Sequence, residues 1–295
     1  MIMTEIEHKE IQKTQVIPAC FRSAEAISAV IIRTDNEKIC MHSDVDIGFS
    51  TYDACCGGLP IGGLTIIEGA EGTGKTALGF QIAGAAAVTG KRRTCTVNLD
   101  MNAERAFIRT AVAAARLPVA LMNDFETARL NGEDYIKALS DLAASPFEAA
   151  DIREKTLAEM IELLDKRFVV SPSPELLIID APEQLADEEP PTKARLCRTL
   201  KHFARRHNCA VLLLMRHDVC YIGGPTPEEK VYADFADVLI RLKRQTHLEY
   251  RERYGADLIV PKNRHGQIGE LRLSWFPDLL RYEEADFCHP WTRRI

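Results

Sequence analysis

Leu64-Thr65-Ile66-Ile67-Glu68-Gly69-Ala70-Glu71-Gly72-Thr73-Gly74-Lys75-Thr76 carries the strongest architectural signal in the chain. The apolar run Leu64–Glu68 predicts a short buried strand. The residues after it spell G-x-x-x-x-G-K-T, and from about Lys75 to Val88 the pattern turns helical. A glycine turn with a chance lysine would lack that strand before and helix behind. In this context the glycines let backbone N–H groups converge on phosphate oxygens, and the helix N-terminus adds a favourable dipole. The whole loop Gly69, Ala70, Glu71, Gly72, Thr73, Gly74, Lys75 and Thr76 is therefore expected to wrap a nucleotide. Lys75 would reach the β- and γ-phosphates of ATP, and the Thr76 hydroxyl would hold Mg²⁺.

Outward from this motif the chain alternates. Thr94–Leu99, Leu176–Ile179, Ala210–Met215 and Val238–Leu242 read as strands. Helices are expected near Ala103–Ala115, Leu130–Ala144, Glu154–Leu164 and Thr192–Arg206. Alternation of this kind implies an α/β fold, a mainly parallel sheet with helices on both faces. After Gly255 the pattern changes to short β segments, Leu258–Val260 and Glu270–Ser274, a C-terminal β extension. Residues 1–20 lack a period, and Ser23 caps a short helix expected over 21–32. A polar linker, Thr34–Asp46, follows, so the expected division is an arm with a linker helix at 1–44 and one core at 45–295.

Composition narrows the class. The net charge of −6 excludes a protein coated in positive charge, though not a local basic channel. Hydrophobic residues at 46% and charged residues at 27% match an ordinary globular chain able to bury a core. The longest apolar runs, such as Cys209–Met215, are far too short to span a membrane. Glu5, Glu7, Lys9 and Glu10 are wrong for a secretory signal. Nine scattered cysteines without a Cys-x-x-Cys pair fit free thiols in a cytoplasm rather than a disulfide or zinc framework.

Two carboxylates complete the expected chemistry. Asp180 ends the apolar run Leu176–Ile179, which places it beside a Mg²⁺ shell. Ala181 follows it, so a general base must come from another strand. Asp100, at the end of the second strand, is the candidate to activate the attacking water, with Glu104 the nearest substitute. The competing reading makes Asp100 a cap for the next helix.

The order of parts resembles a known family. The approach Ile47–Asp53 into Gly57–Leu64 looks like the start of the RecA-like ATPase core shared by recombinases, KaiC-type proteins and replicative helicases. Pro261–Leu273, which contains Lys262, Arg264, Gly266 and Gly269, resembles the Lys-x-Arg-x-Gly-x-x-Gly segment of DnaB-type replicative helicases. Asn98–Glu104 fits that family's Ser-Leu-Glu-Met-Pro-Ala-Glu, Ala128–Asp134 also has a counterpart, and Leu279–Glu283 resembles its closing strand.

The resemblance implies a helicase motor that hydrolyses ATP at the seams of a ring, by resemblance six identical subunits, and moves along single-stranded DNA beside other replication proteins. It implies that Lys262 and Arg264 reach the neighbouring subunit's ATP, and that the linker helix packs on a neighbour. Arg216, at the position of the family's polar sensor, would either sense the γ-phosphate or face the DNA channel. His217 reads as structural. The alternatives are a KaiC- or recombinase-like DNA-binding ATPase without unwinding, and a degenerate member that binds ATP without turning it over.

Three departures stand out. Asp100 replaces the family's glutamate, one methylene shorter. The residues before the core are too few for the family's large N-terminal collar, so a motor without one is expected. The loops His217–Asp237 and Gln184–Thr192 are acidic, which shrinks the expected DNA contacts to Lys193, Arg195, Arg216 and Lys230. The basic tail His289–Ile295 is expected to fray.

Overall fold

Strand β1, Leu64–Gly69, is buried along its whole length, as a strand flanked on both edges and both faces must be. It pairs in parallel with β5 (Ala210–Arg216) on one side and β6 (Val238–Arg244) on the other. The computed structural model describes residues 44–122, 132–170, 172–187, 189, 191–217, 231–244, 254–285 and 291–293. The expected arm, linker helix and boundary near 44, and Lys230 with most of its loop, lie outside or at the edge of these residues.

Beyond β5 the sheet continues in parallel through β4 (Leu176–Asp180), β2 (Thr94–Asn98) and β3 (Phe147–Ala150). Beyond β6 it turns antiparallel, with β7 (Gly255–Asn263) and β8 (Gly269–Phe276). Both β9 (Arg281–Glu284) and β10 (Trp291–Arg293) pair with β8. The expected parallel core and β extension are both present. The tail expected to fray instead places Trp291–Arg293 in the sheet, because the antiparallel β8 edge offers unpaired backbone groups.

The helices lie on two faces. Helix α1 (Ser50–Cys56) and α2 (Lys75–Gly84), which runs on through a π-turn at Ala85–Thr89, pack with Ile67, Ile178, Leu212 and Leu214. On the opposite face α5 (Leu157–Val170) and α6 (Lys193–His207) bury Met160, Leu164, Leu196, Leu200 and Phe203 against Leu64, Ile66, Leu177 and Leu213. Ile66 and Ile67 thus serve opposite cores, as period-two alternation requires. Helices α3 (Ala103–Ala114) and α4 (Gly132–Ala143) cover the β2–β3 side.

Two differences from the expected elements have local causes. Helix α5 begins at Leu157 rather than Glu154. Glu154 sits at φ +60, and Thr156 and Glu159 form a capping box: Glu159 Oε2 accepts the Thr156 N–H at 2.8 Å and Thr156 Oγ1 accepts the Glu159 N–H at 3.3 Å. It then runs past Leu164 to Val170 because Phe168 still packs on Phe203. Strand β3 and helix α1, of four and seven residues, are too short to show a period.

One buried polar knot ties the start of β1. Asp237, between α6 and β6, accepts the Leu64 N–H at 2.8 Å and the Lys201 ammonium on Oδ2. Burial alone would push the Asp237 carboxyl up, but Lys201, Leu64 and Arg264 outweigh it and hold it below its ordinary value.

Candidate nucleotide site

The strands β1, β5, β4 and β2 all end on one side of the sheet, where open α/β folds take their ligands. There the loop Ala70–Gly74 joins β1 to α2. Its glycines answer to packing as well as to phosphate. Gly74 has φ +92, and a Cβ on it would stand 2.7 Å from the Tyr282 hydroxyl. A Cβ on Gly69 would fall 2.6 Å from the Leu242 carbonyl oxygen. Tyr282 donates to the Thr73 carbonyl, so β9 clamps the loop from above. Lys75 Nζ donates to the carbonyls of Gly69 at 2.8 Å and Ala70 at 2.9 Å, which keeps its ammonium inside the loop.

At the neighbouring strand ends, Asn98 and Asp180 are register partners. Asp180 is buried, and burial pushes its carboxyl up from the ordinary value; the Thr76 hydroxyl, the Ala181 N–H and the Lys75 charge oppose that shift. Thr76 and Asp180 line the same cavity wall. They are hard oxygen donors, which suits Mg²⁺. The described residues contain no group of three or more His, Cys, Asp or Glu able to hold a metal by themselves. A Mg²⁺ ion here would take its remaining ligands from phosphate and water, its usual habit.

A cavity of about 460 Å³ opens beside the loop, lined by Lys75, Thr76 and Asp180 and by three arginines. Arg216 ends β5 opposite Gly69 and sets Nη2 3.0 Å from Glu71 Oε2, while its backbone N–H donates to Glu183 Oε1 at 2.6 Å. Arg216 thus lines the cavity beside the phosphate loop. Arg109 projects from α3, its guanidinium 5.9 Å from the Phe80 ring centre. Burial and then Arg105 draw its pKa down, while Asp180 and Asp100 pull it up. Arg244 lies 4.7 Å over the Trp275 ring, which in turn packs 4.6 Å from Tyr282. This cationic hollow has the chemistry to receive a triphosphate.

Asp100 is exposed at the rim and does not line the cavity. Its backbone N–H donates to Asn98 Oδ1 at 2.9 Å, while the cap of α3 is Asn102, which accepts the Arg105 N–H. His217 is buried, donates its backbone N–H to the Gly69 carbonyl at 3.0 Å and lies 3.4 Å from the Tyr232 hydroxyl, a structural place. Tyr232 in turn donates at 2.5 Å to Glu68, the buried residue just before the loop.

Lys262 and Arg264 are not brought to this cavity. Leu239 pairs with Lys262, and Arg264 donates its N–H to the carbonyl of Asp237, beside Leu64. Arg264 is level with Leu64, five strand steps or about 17 Å from the phosphate-loop end of β1, and Lys262, whose partner Leu239 pairs with Ile66, is three steps or about 10 Å from it. Both side chains converge on one turn: Lys262 Nζ donates to the Ala233 carbonyl at 2.7 Å and Arg264 Nη2 to that of Asp234 at 3.1 Å.

The family model for the DnaB-like helicase C terminal domain matches residues 44–217. The chain belongs to that family. Among solved structures, a DnaB-like replicative helicase reported with its interactions with primase superimposes with a TM-score of 0.75 at 17% identity, over 90% of this chain and 69% of that one. A second solved structure, an isolated ATPase domain, superimposes with a TM-score of 0.72 at 16% identity, over 90% of this chain and 100% of that one. At these identities the likeness shows the fold, a RecA-like ATPase core. No curated protein matches the chain.

Within this DnaB-like domain, several cavity residues escaped the sequence reading. Arg109, Arg244 and Trp275 arrive from three separate elements and belong to no local motif. Asn98 opens the motif Asn98–Glu104, but only the register of β2 against β4 shows what it touches. Of the expected DNA contacts, Arg195 is exposed on α6, and Lys193 donates to the Arg216 carbonyl at 3.3 Å. Asp187, expected as a loop charge, accepts the Leu157 N–H at 2.8 Å and starts α5. No helix among the described residues is long and apolar enough to cross a membrane.

Proposed function

We propose that this DnaB-like domain is an ATP-dependent DNA helicase motor, hydrolysing ATP at the seams of a six-membered ring of identical chains and translocating on single-stranded DNA. The observation that carries this reading is the separation between the phosphate loop and the pair Lys262 and Arg264, which stand three and five strand steps back along β1 and turn their side chains to the carbonyls of Ala233 and Asp234. In this reading a chain does not use its own pair, and a head-to-tail ring would present each pair to the next loop.

In this reading Lys75 and the loop N–H groups bind the β- and γ-phosphates, and Trp275 with Arg244 stacks the base. Thr76 and Asp180 would hold Mg²⁺, which supplies charge neutralisation on the β- and γ-oxygens. Asp100 takes a proton from water as its oxygen attacks the γ-phosphorus; the bond to the bridging oxygen breaks and ADP departs. Lys262 and Arg264 of the adjoining chain stabilise the charge that spreads over the transferring group, a role worth about 10³–10⁵ in turnover. Arg216, which ends β5 and lines the cavity, senses the γ-phosphate. A replication partner docks on the ring; one fold relative is described with primase.

The test is ATPase activity with and without single-stranded DNA, with strand displacement and particle mass in ATP. Stimulated turnover, displacement and a ring mass are expected. Stimulation without displacement supports a recombinase-like ATPase instead, and full turnover by a lone protomer overturns the seam.

A further inference from the structure

We infer that Asn98 is a positioning residue that couples the two halves of the hydrolytic site, the metal-side carboxylate of Asp180 and the water-side turn of Asp100. The inference rests on the proposed ATPase reading and deepens it. Asn98 is 2% exposed and ends β2 directly beside Asp180 at the end of β4. Its Nδ2 donates to Asp180 Oδ2 at 2.9 Å. Its Oδ1 accepts two backbone N–H groups, from Asp100 at 2.9 Å and Met101 at 2.8 Å.

The chemistry fixes which way this amide faces. The two backbone groups can only donate, so Oδ1 must meet them and Nδ2 must meet the carboxylate. The Leu99 N–H also donates to the Asp180 carbonyl at 3.2 Å, so backbone and side chain tie the same two strand ends. Three of the hydrogen bonds Asn98 can make are committed inside one buried corner. Asp180 meanwhile has one oxygen held by the Ala181 N–H at 3.0 Å and the other by Asn98. Its carboxylate therefore cannot rotate without breaking its bonds to Asn98 and to the Ala181 N–H, and Asn98 is the residue that ties it to the turn carrying Asp100.

No other residue type of this size performs both tasks. Aspartate would set a carboxylate against Asp180. Leucine would leave the Asp180 oxygen and two N–H groups without their partner. Serine, which the resembled motif carries here, keeps an acceptor for the turn but is too short to bridge to Asp180. Groups that orient a metal-binding carboxylate typically change metal affinity or activity by about 10–100-fold when removed.

The experiment compares the full chain with Asn98→Leu and Asn98→Ser. Mn²⁺ binding in the presence of ADP is counted by electron paramagnetic resonance, ADP binding is measured in EDTA, and ATPase is titrated with Mg²⁺. For Asn98→Leu, Mn²⁺ affinity is expected to fall about 10–100-fold, the half-saturating Mg²⁺ to rise in step and kcat to drop, with ADP affinity in EDTA within about twofold. Asn98→Ser, should the leucine variant fold poorly, is expected to keep its melting temperature yet show the same weaker Mn²⁺ binding. Folded variants that bind Mn²⁺ like the wild type overturn the coupling alone. A wild type that binds neither ADP nor Mn²⁺ with it overturns the nucleotide reading, and the inference with it.

Discussion

Arg264 lies with Nη1 3.5 Å from Asp237 Oδ1, and the other oxygen of that same carboxylate holds the first N–H of β1. The cation proposed to act on a neighbour is therefore anchored, through one aspartate, to the strand that ends in its own phosphate loop. In the proposed ring, a force on Arg264 from the adjoining nucleotide would be transmitted to the base of β1 and would link adjacent sites mechanically.

Mixing tests the trans assignment. Arg264→Ala chains and Lys75→Ala chains are each expected to be inactive, the first by about 10³-fold or more. Combined, some interfaces regain an intact loop on one side and an intact arginine on the other, so ATPase activity returns. Confirmed co-assembly without any recovery would place Arg264 outside the reaction or in its own site.

Breaking the buried pair at the same anchor tests stability. Lys201→Met leaves Asp237 in a buried place without its ammonium partner, and a loss of about 3–5 kcal/mol is expected in urea unfolding. The pH sign follows from Asp237, whose folded pKa lies below the unfolded one. Its stabilisation is complete above the unfolded value of about 4 and disappears as pH falls through the lower folded value. Wild type should therefore lose this contribution only in strong acid, and Lys201→Met should show a flatter acid limb. Equal stability of the two proteins at pH 7 would sink the account.

Asp100 offers a gain-of-rate test. It stands at the rim with a side chain one methylene shorter than glutamate, while the turn beneath it is fixed by Asn98. Asp100→Glu extends the carboxylate toward the cavity, and kcat is expected to rise several-fold at unchanged ATP affinity. Asp100→Ala should remove about 10²–10⁴ of rate, the usual worth of a placed base. A slower glutamate variant contradicts the reach argument.

The parallel core was legible because its strands are apolar, their carboxyl ends carry motifs, and helices separate them. That Lys75, Thr76 and Asp180 would meet at one cavity was legible for the same reason: each belongs to a local pattern attached to one strand. Thr156 and Glu159 carried a cap signal that a hydrophobic-period reading passes over, which moved the start of α5. The edge pairings of Phe147–Ala150 and Trp291–Arg293 come from partners distant in sequence, so no local pattern announces them. Arg109, Arg244 and Trp275 share that problem, since a solitary arginine on a helix or strand reads as a solvated charge until the fold closes around it.

The base platform makes the last prediction. Trp275 is only 6% exposed, yet it borders the cavity, with Arg244 over one side and Tyr282 against it. Stacking on an aromatic is worth about 1–3 kcal/mol per base, and a cationic neighbour adds to it. Tyr282→Phe loses only the hydroxyl that holds the Thr73 carbonyl, whereas Trp275→Leu loses the stacking face but keeps an apolar filling. The tryptophan variant should raise the KM for ATP by about tenfold, since each 1.4 kcal/mol is a factor of ten, with little change in kcat. The tyrosine variant frees the phosphate loop instead, and should lower kcat at nearly constant base discrimination. If both variants shift KM and kcat alike, Trp275 supports the loop through Tyr282 and does not meet the base.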